Sequence, residues 1–239
     1  MDTIKIDKKQ VKMVAHRGVS GLEMENTNAA FVAAGNRSYF GIETDVHVTA
    51  DKKIVVIHDD HLKRVAGVDM VVEESTLEQI QAVPLYDKQE GVYRTDLHTP
   101  VLADYIRICK KYGKTAVLEL KNRMAYEDIA QIVEQIKELD YLEGVVFISF
   151  AWDNLIDLRK ILPKQKAQFL IERNTEDLVE KLVENRLDLD IYYKVLTREM
   201  INTLHAHDLE VNCWTVDDPE AAKILVEWGV DYITSNILE

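Results

Sequence analysis

The chain has 239 residues, 47% hydrophobic and 30% charged, with 42 acidic against 29 basic residues and a formal net charge of −13. This is a globular balance with ample material for a core, and it speaks against broad nucleic-acid or anionic-membrane binding, whose surfaces carry a basic excess. Two cysteines, Cys109 and Cys213, exclude a disulfide scaffold and a cysteine-rich zinc module.

In chain order, the apolar run Met13-Val14-Ala15 predicts a first strand, and residues 26–35 a helix stopped at Gly35. Residues 41–48 predict a second strand. Residues 54–57 extend it across the turn Asp51-Lys52-Lys53. The stretch 62–100 is less regular, with Thr76 placed to cap a short helix, and reads as an insertion. Helices at 102–112, 126–139, 152–162, 175–185, 197–207 and 219–228 then alternate with strands at 116–120, 145–149, 167–171, 191–195, 210–216 and 232–234. Pro219 opens the last helix and Gly229 closes it. Eight principal strands in repeated β-then-α order predict a single (β/α)8 barrel domain over 1–239. No Gly-x-Gly-x-x-Gly loop supports an open dinucleotide-binding sheet, and no Walker-type loop occurs.

The two cysteines lie in apolar surroundings, as buried free thiols of a reducing compartment do. Residues 1–9 lack the apolar segment of a secretory signal, and no apolar run approaches the ~20 residues of a membrane helix. The expectation is a soluble cytoplasmic protein without stable membrane insertion. Homo-oligomerisation is left open.

In such a barrel, chemistry collects at the C-terminal ends of the strands. Those ends carry His16-Arg17-Gly18, Glu43 and Asp45, His58-Asp59, Glu119-Leu120-Lys121, Ser149-Phe150, Glu172, a region near Lys194, and Trp214. Glu43 and Asp45, two apart, share one strand face, and Glu119 ends the neighbouring strand. Carboxylates crowded on an inward face are costly. A hard divalent cation, Mg²⁺ or Ca²⁺, relieves the conflict, and so does pairing with Arg17 and Lys121. The spacing leaves both readings open. His16 and His58 each close an apolar strand and suit a general base and a general acid. His47 shares the Asp45 face if the strand reaches that far; His61, His98, His205 and His207 read as surface residues. Arg17 offers a planar fork and Lys121 a point charge, for phosphate or for the carboxylates. Trp214 either walls the pocket or caps the core, and so does Phe150, whereas Trp152 and Trp228 fit helix packing.

These residues resemble the signature of glycerophosphodiester phosphodiesterases. The likeness runs through His16-Arg17-Gly18, Glu25-Asn26-Thr27, Glu43-x-Asp45-Val46-x-x-Thr49-x-Asp51, Val56-x-His58-Asp59, Thr99-Pro100-Val101-Leu102, Glu119-Leu120-Lys121, Asn212-x-Trp214-Thr215-Val216 and Gly229-Val230-Asp231-x-Ile233-Thr234, from about residue 13 to 236. It implies a barrel with a small insertion after the second strand and hydrolysis of a small-molecule glycerophosphodiester to sn-glycerol 3-phosphate and an alcohol. It further implies that Glu43, Asp45 and Glu119 hold one divalent cation. His16 and His58 would form the acid–base pair, Arg17 and Lys121 would bind phosphate, and Glu25 to Thr27 would order the first loop. The nucleophile is water or the glycerol 2-hydroxyl, and the order in which the histidines act is open.

Three positions depart from the family pattern: Met24 replaces a proline, Lys52-Lys53 stand where a glycine is common, and Ser235-Asn236 replace an aspartate followed by a proline. Two rivals are a related phosphodiesterase acting on a lysophospholipid or another head group, and a catalytically silent barrel holding glycerol phosphate. The first would carry long apolar loops near the pocket. The second would lack one of the two histidines or three carboxylates, all of which are present.

Overall fold

The computed structural model describes residues 2–88 and 92–239. Its strands are β1 (Lys12–Ala15), β2 (Gly41–Val48), β3 (Ile54–Val56), β4 (Thr115–Leu120), β5 (Val145–Ser149), β6 (Ala167–Ile171), β7 (Asp188–Tyr192), β8 (Val211–Trp214) and β9 (Tyr232–Ser235). Its helices are α1 (Asn28–Gly35), α2 (Lys63–Ala66), α3 (Leu77–Gln81), α4 (Leu102–Tyr112), α5 (Tyr126–Glu138), α6 (Trp152–Ile161), α7 (Leu178–Asn185), α8 (Arg198–His205) and α9 (Pro219–Trp228). The parallel order β1-β9-β8-β7-β6-β5-β4-β2 closes through a β1–β2 pairing, so eight strands form the predicted (β/α)8 barrel. β3 lies antiparallel on β2 as its extension.

Local chemistry explains several element ends. Thr27 caps α1, its Oγ1 accepting from the Ala30 amide at 3.2 Å. Thr76 and Gln79 form a reciprocal capping box at α3. Pro219 occupies the first turn of α9, and Gly229 ends it in the left-handed region. In the β2–β3 turn Lys52 takes φ 58°, the conformation that makes glycine common there. The turn is held by Thr49 Oγ1, which donates to Asp51 Oδ1 at 2.6 Å and accepts from the Lys53 amide at 2.9 Å.

The main apolar core lies between the strands and the surrounding helices and includes Phe31, Tyr105, Phe147 and Ile191. Val14, Val117, Val146, Ile148, Leu170 and Tyr232 pack inside the barrel. A third cluster joins Val55 of β3 to Ile57, Leu62, Val65 and Ile80 of the segment between β3 and α4 and gives that irregular stretch a small core of its own. Cys109 and Cys213 are buried and free. No helix among the described residues is long and apolar enough to cross a membrane.

One strand is shifted from its expected place. The run 191–195 is apolar and aromatic, but β7 begins earlier, at Asp188, and Tyr193–Val195 form a 3-10 turn that leaves Lys194 exposed. Two aspartates hide this strand from a hydrophobic pattern. Asp188 accepts from the Glu210 amide at 2.8 Å, and Asp190 is buried in the barrel interior. Glu172, expected at a functional strand end, is exposed.

Candidate active site

Strand register builds the acidic cluster. Asp45 on β2 lies beside Glu119 on β4, and Glu43 sits two residues earlier on the same face. The three carboxylates are buried, and ligand oxygens from each lie within 4.8 Å of one another. Lys121 Nζ is 2.9 Å from Glu119 and 3.7 Å from Asp45, and Arg17 Nε is 3.6 Å from Asp45. Both readings of the carboxylate pattern therefore hold together: cations flank the cluster without saturating it. Asp45 Oδ1 keeps no hydrogen-bond partner. Burial, with the charges of Asp45 and Glu119, pushes Glu43 well above the usual carboxylate range. Burial and Asp45 push Glu119 up to about 8. Burial also opposes ionisation of Asp45, but Arg17, Lys121 and the Asn26 amide hold it low. An all-oxygen cluster this short of positive charge fits a hard divalent cation.

The first loop explains the His-Arg-Gly motif. Arg17 and Gly18 both adopt positive φ, and a Cβ on Gly18 would meet Ala30 Cβ at 2.6 Å. The turn aims the Arg17 amide at Glu43 Oε2, 2.8 Å away. Asn26 donates to Asp45 Oδ2 at 2.8 Å and accepts from Thr44 Oγ1 at 2.7 Å, tying the same loop to β2.

Each histidine has one ring nitrogen engaged. His16 Nδ1 lies 2.7 Å from Asn236 Oδ1, and Asn236 Nδ2 donates to Asp217 Oδ2 at 2.6 Å. The Asp217 bond fixes which end of the Asn236 amide is oxygen, so His16 carries its proton on Nδ1 and keeps a lone pair on Nε2. His58 Nδ1 lies 2.6 Å from Asp59 Oδ1, which imposes the same tautomer. Burial and the adjacent Arg17 pull His16 down to about 4. Burial also lowers His58, with Arg17 and Lys121 adding to the effect and Asp45 opposing it.

Arg64 on α2 braces this side. Its Nε and Nη2 bond Asp59 at 2.7 and 2.9 Å, and its Nη1 and Nη2 bond Glu25 at 2.7 and 2.9 Å. Glu25 in turn accepts from Arg17 Nη1 at 2.9 Å. His47 is fully buried but faces away from the pocket, with Nδ1 2.9 Å from Glu73 Oε1 and Nε2 3.3 Å from the His58 carbonyl.

One pocket gathers His16, Arg17, Glu43, His58 and Glu119. Its opposite wall is formed by Ile148, Phe150, Leu170 and Trp214, with Asp190 and Thr234. Trp214 and Phe150 meet edge to face at 5.6 Å and so belong to the pocket wall. Trp152 instead packs on Phe169, and His61 and His205 lie at the surface, as expected. His16, Arg17, Glu43, His58, Glu119 and Trp214 line this pocket, with Asp45 and Lys121 beside Glu119, whereas Glu172 and Lys194 lie outside it. Sequence reading passed over Arg64, Asp190 and Asn236's bond to His16. Arg64 stands six residues beyond His58 within the irregular segment, where spacing gave no element to place it on. Asp190 was detectable as one of two acids, with Asp188, that alternate with apolar residues at 187–191.

A model of the glycerophosphoryl diester phosphodiesterase family matches residues 16–238. A glycerophosphodiester phosphodiesterase of Caldanaerobacter subterraneus subsp. tengcongensis is 28% identical over 227 residues, covering 94% of this chain and 93% of that protein. Lysophospholipase D GDPD1 of Rattus norvegicus is 29% identical over 131 residues, covering 52% of this chain and 41% of that protein. The solved structure of an Oleispira antarctica phosphodiesterase, in complex with the product sn-glycerol-3-phosphate, superposes with a TM-score of 0.86 at 25% identity and covers 97% of this chain and 95% of that one. With the barrel, the acidic cluster and the paired histidines in place, the match across almost the whole chain shows that this protein belongs to the glycerophosphoryl diester phosphodiesterase family.

Proposed function

We propose that the protein hydrolyses glycerophosphodiesters to sn-glycerol 3-phosphate and an alcohol. The observation that carries this reading is the pair of histidines, each with Nδ1 engaged, on the rim of a buried three-carboxylate cluster. Glu43, Asp45 and Glu119 would hold a divalent cation, Mg²⁺ or Ca²⁺, which when bound neutralises charge on the phosphate. Arg17 supports phosphate binding from the same side, because it lines the pocket with the two histidines. Lys121 adds a second positive charge.

The histidine environments differ in a way that supports distinct roles. Asn236 is neutral and holds His16 as a free base, while Arg17 discourages its protonation. His16 therefore takes the proton of the attacking hydroxyl, whether of water or of the glycerol 2-hydroxyl. Asp59 is anionic and supports an imidazolium at His58 against the burial and neighbouring cations that lower it, and His58 gives its proton to the departing alkoxide. The two buried free thiols, Cys109 and Cys213, support a reducing, cytoplasmic setting.

The test is turnover of glycerophosphocholine, read as glycerol 3-phosphate release with and without a chelator. Release that stops with chelator and returns with Mg²⁺ or Ca²⁺ is expected. Release from lysophosphatidylcholine alone would replace the substrate class, and release indifferent to chelator would remove the cation.

A further inference from the structure

The pocket is divided by chemistry. Its β1–β4 side carries His16, Arg17, Glu43, His58 and Glu119, and its β5–β8 side is apolar except for one buried acid. That acid, Asp190 on β7, is 2% exposed, and its Oδ1 has no hydrogen-bond partner. Its strand neighbours do not serve it. Asn212, opposite Asp190 in register, is committed to Gln168 at 3.1 Å and to Thr234 at 3.2 Å, and Leu170 on the other side is apolar. It stands outside the cluster formed by Glu43, Asp45 and Glu119. Trp214, on the same wall, also buries its indole Nε1–H without a partner. Buried polar atoms without partners are uncommon in folded proteins and costly to keep.

Building on the proposed glycerophosphodiester activity, we infer that Asp190 contacts substrate and is a specificity residue that hydrogen-bonds a hydroxyl of the glycerol moiety. With phosphate drawn to the charged side, the organic part of the substrate meets the opposite wall. A hydroxyl both donates and accepts, so it satisfies a carboxyl oxygen and an indole N–H together. A trimethylammonium group has no proton to give and accepts nothing, and an alkyl chain leaves both groups unpaired. A site built this way rejects the analogue that lacks the hydroxyl, because its own buried groups are then stranded.

The experiment measures binding of sn-glycerol 3-phosphate, n-propyl phosphate and phosphocholine by calorimetry, in the presence of Mg²⁺ or Ca²⁺, to the wild-type chain and to Asp190→Val and Asp190→Asn. The wild-type chain is expected to prefer glycerol 3-phosphate to propyl phosphate by about 10-fold or more. In Asp190→Val that preference falls to within about 2-fold, through weaker glycerol 3-phosphate and tighter propyl phosphate binding, while Asp190→Asn, which still hydrogen-bonds, keeps most of it. Asp190→Ala replaces the valine variant if the latter does not fold. An unchanged preference in the valine or alanine variant overturns the inference. So does a wild-type chain without the preference, or a selective loss of phosphocholine binding, which would assign Asp190 to a cationic head group. Failure of the activity reading shows separately, as absence of wild-type turnover on glycerophosphocholine whatever the binding ratios.

Discussion

His16 Nδ1 and Asn236 Oδ1 lie 2.7 Å apart, and Asp217 fixes the orientation of the asparagine amide. A residue from the far end of the chain therefore sets the tautomer of the histidine that closes the first strand. Asn236→Leu removes this constraint without touching the carboxylates. The expected result is a fall in kcat of about 10–10²-fold with KM nearly unchanged. A matching rise in KM would mean that Asn236 shapes the pocket rather than the proton transfer.

Replacing either histidine should cost more. His16→Ala and His58→Ala are each expected to lower kcat by about 10²–10⁴-fold while the protein stays folded. Steady-state kinetics beside a thermal melt separates the two effects. Turnover near the wild-type level in one variant takes that residue out of the acid–base pair.

Arg64 bonds Asp59 and Glu25 bidentately, but its side chain is 47% exposed. The loss of stability in Arg64→Met is therefore modest, about 1 kcal/mol. Activity should fall further than stability does, because the partners of both His58 and Arg17 are released at once. Rescue by Arg64→Lys is expected to be poor, since an ammonium cannot bridge two carboxylates in forked geometry. Full rescue would reduce the clamp to a simple charge effect.

Asp188, at the opposite end of the barrel, provides a pH signature independent of catalysis. Burial raises its carboxyl to about 6, against the ordinary 3.8 of an exposed aspartate. The fold thus favours the protonated form. This contribution is complete below pH 3.8 and is lost as pH rises through 6. Asp188→Asn should match the wild-type melting temperature near pH 4 and exceed it by about 2–4 °C at pH 7. A constant difference across that range would assign the effect to packing.

The barrel was legible because β-then-α alternation and its caps are local signals. Thr76, Pro219 and Gly229 mark element ends in the sequence and do so in the structure. The acidic cluster was legible because register puts Asp45 beside Glu119 wherever two parallel strands pair in this way. What escaped were relations across large sequence separation or against hydropathy. Asn236 reaches His16 across 220 positions. Asp190 interrupts an apolar pattern with a charge and drew the expected strand past its true start. His47 shares a face with Asp45, yet its ring is spent on Glu73 and the His58 carbonyl.

The small apolar cluster between β3 and α4 bears on how activity is lost on heating. Arg64 and Glu73 both come from this segment, and through them it holds Asp59, Glu25 and His47. Regions with few buried contacts open locally before the whole molecule unfolds. Opening this one cluster withdraws the braces on the loops of His16 and His58 together while the eight strands stay paired. Inactivation should then precede the cooperative melt, and amide exchange in 62–85 should track residual turnover more closely than exchange in the barrel strands.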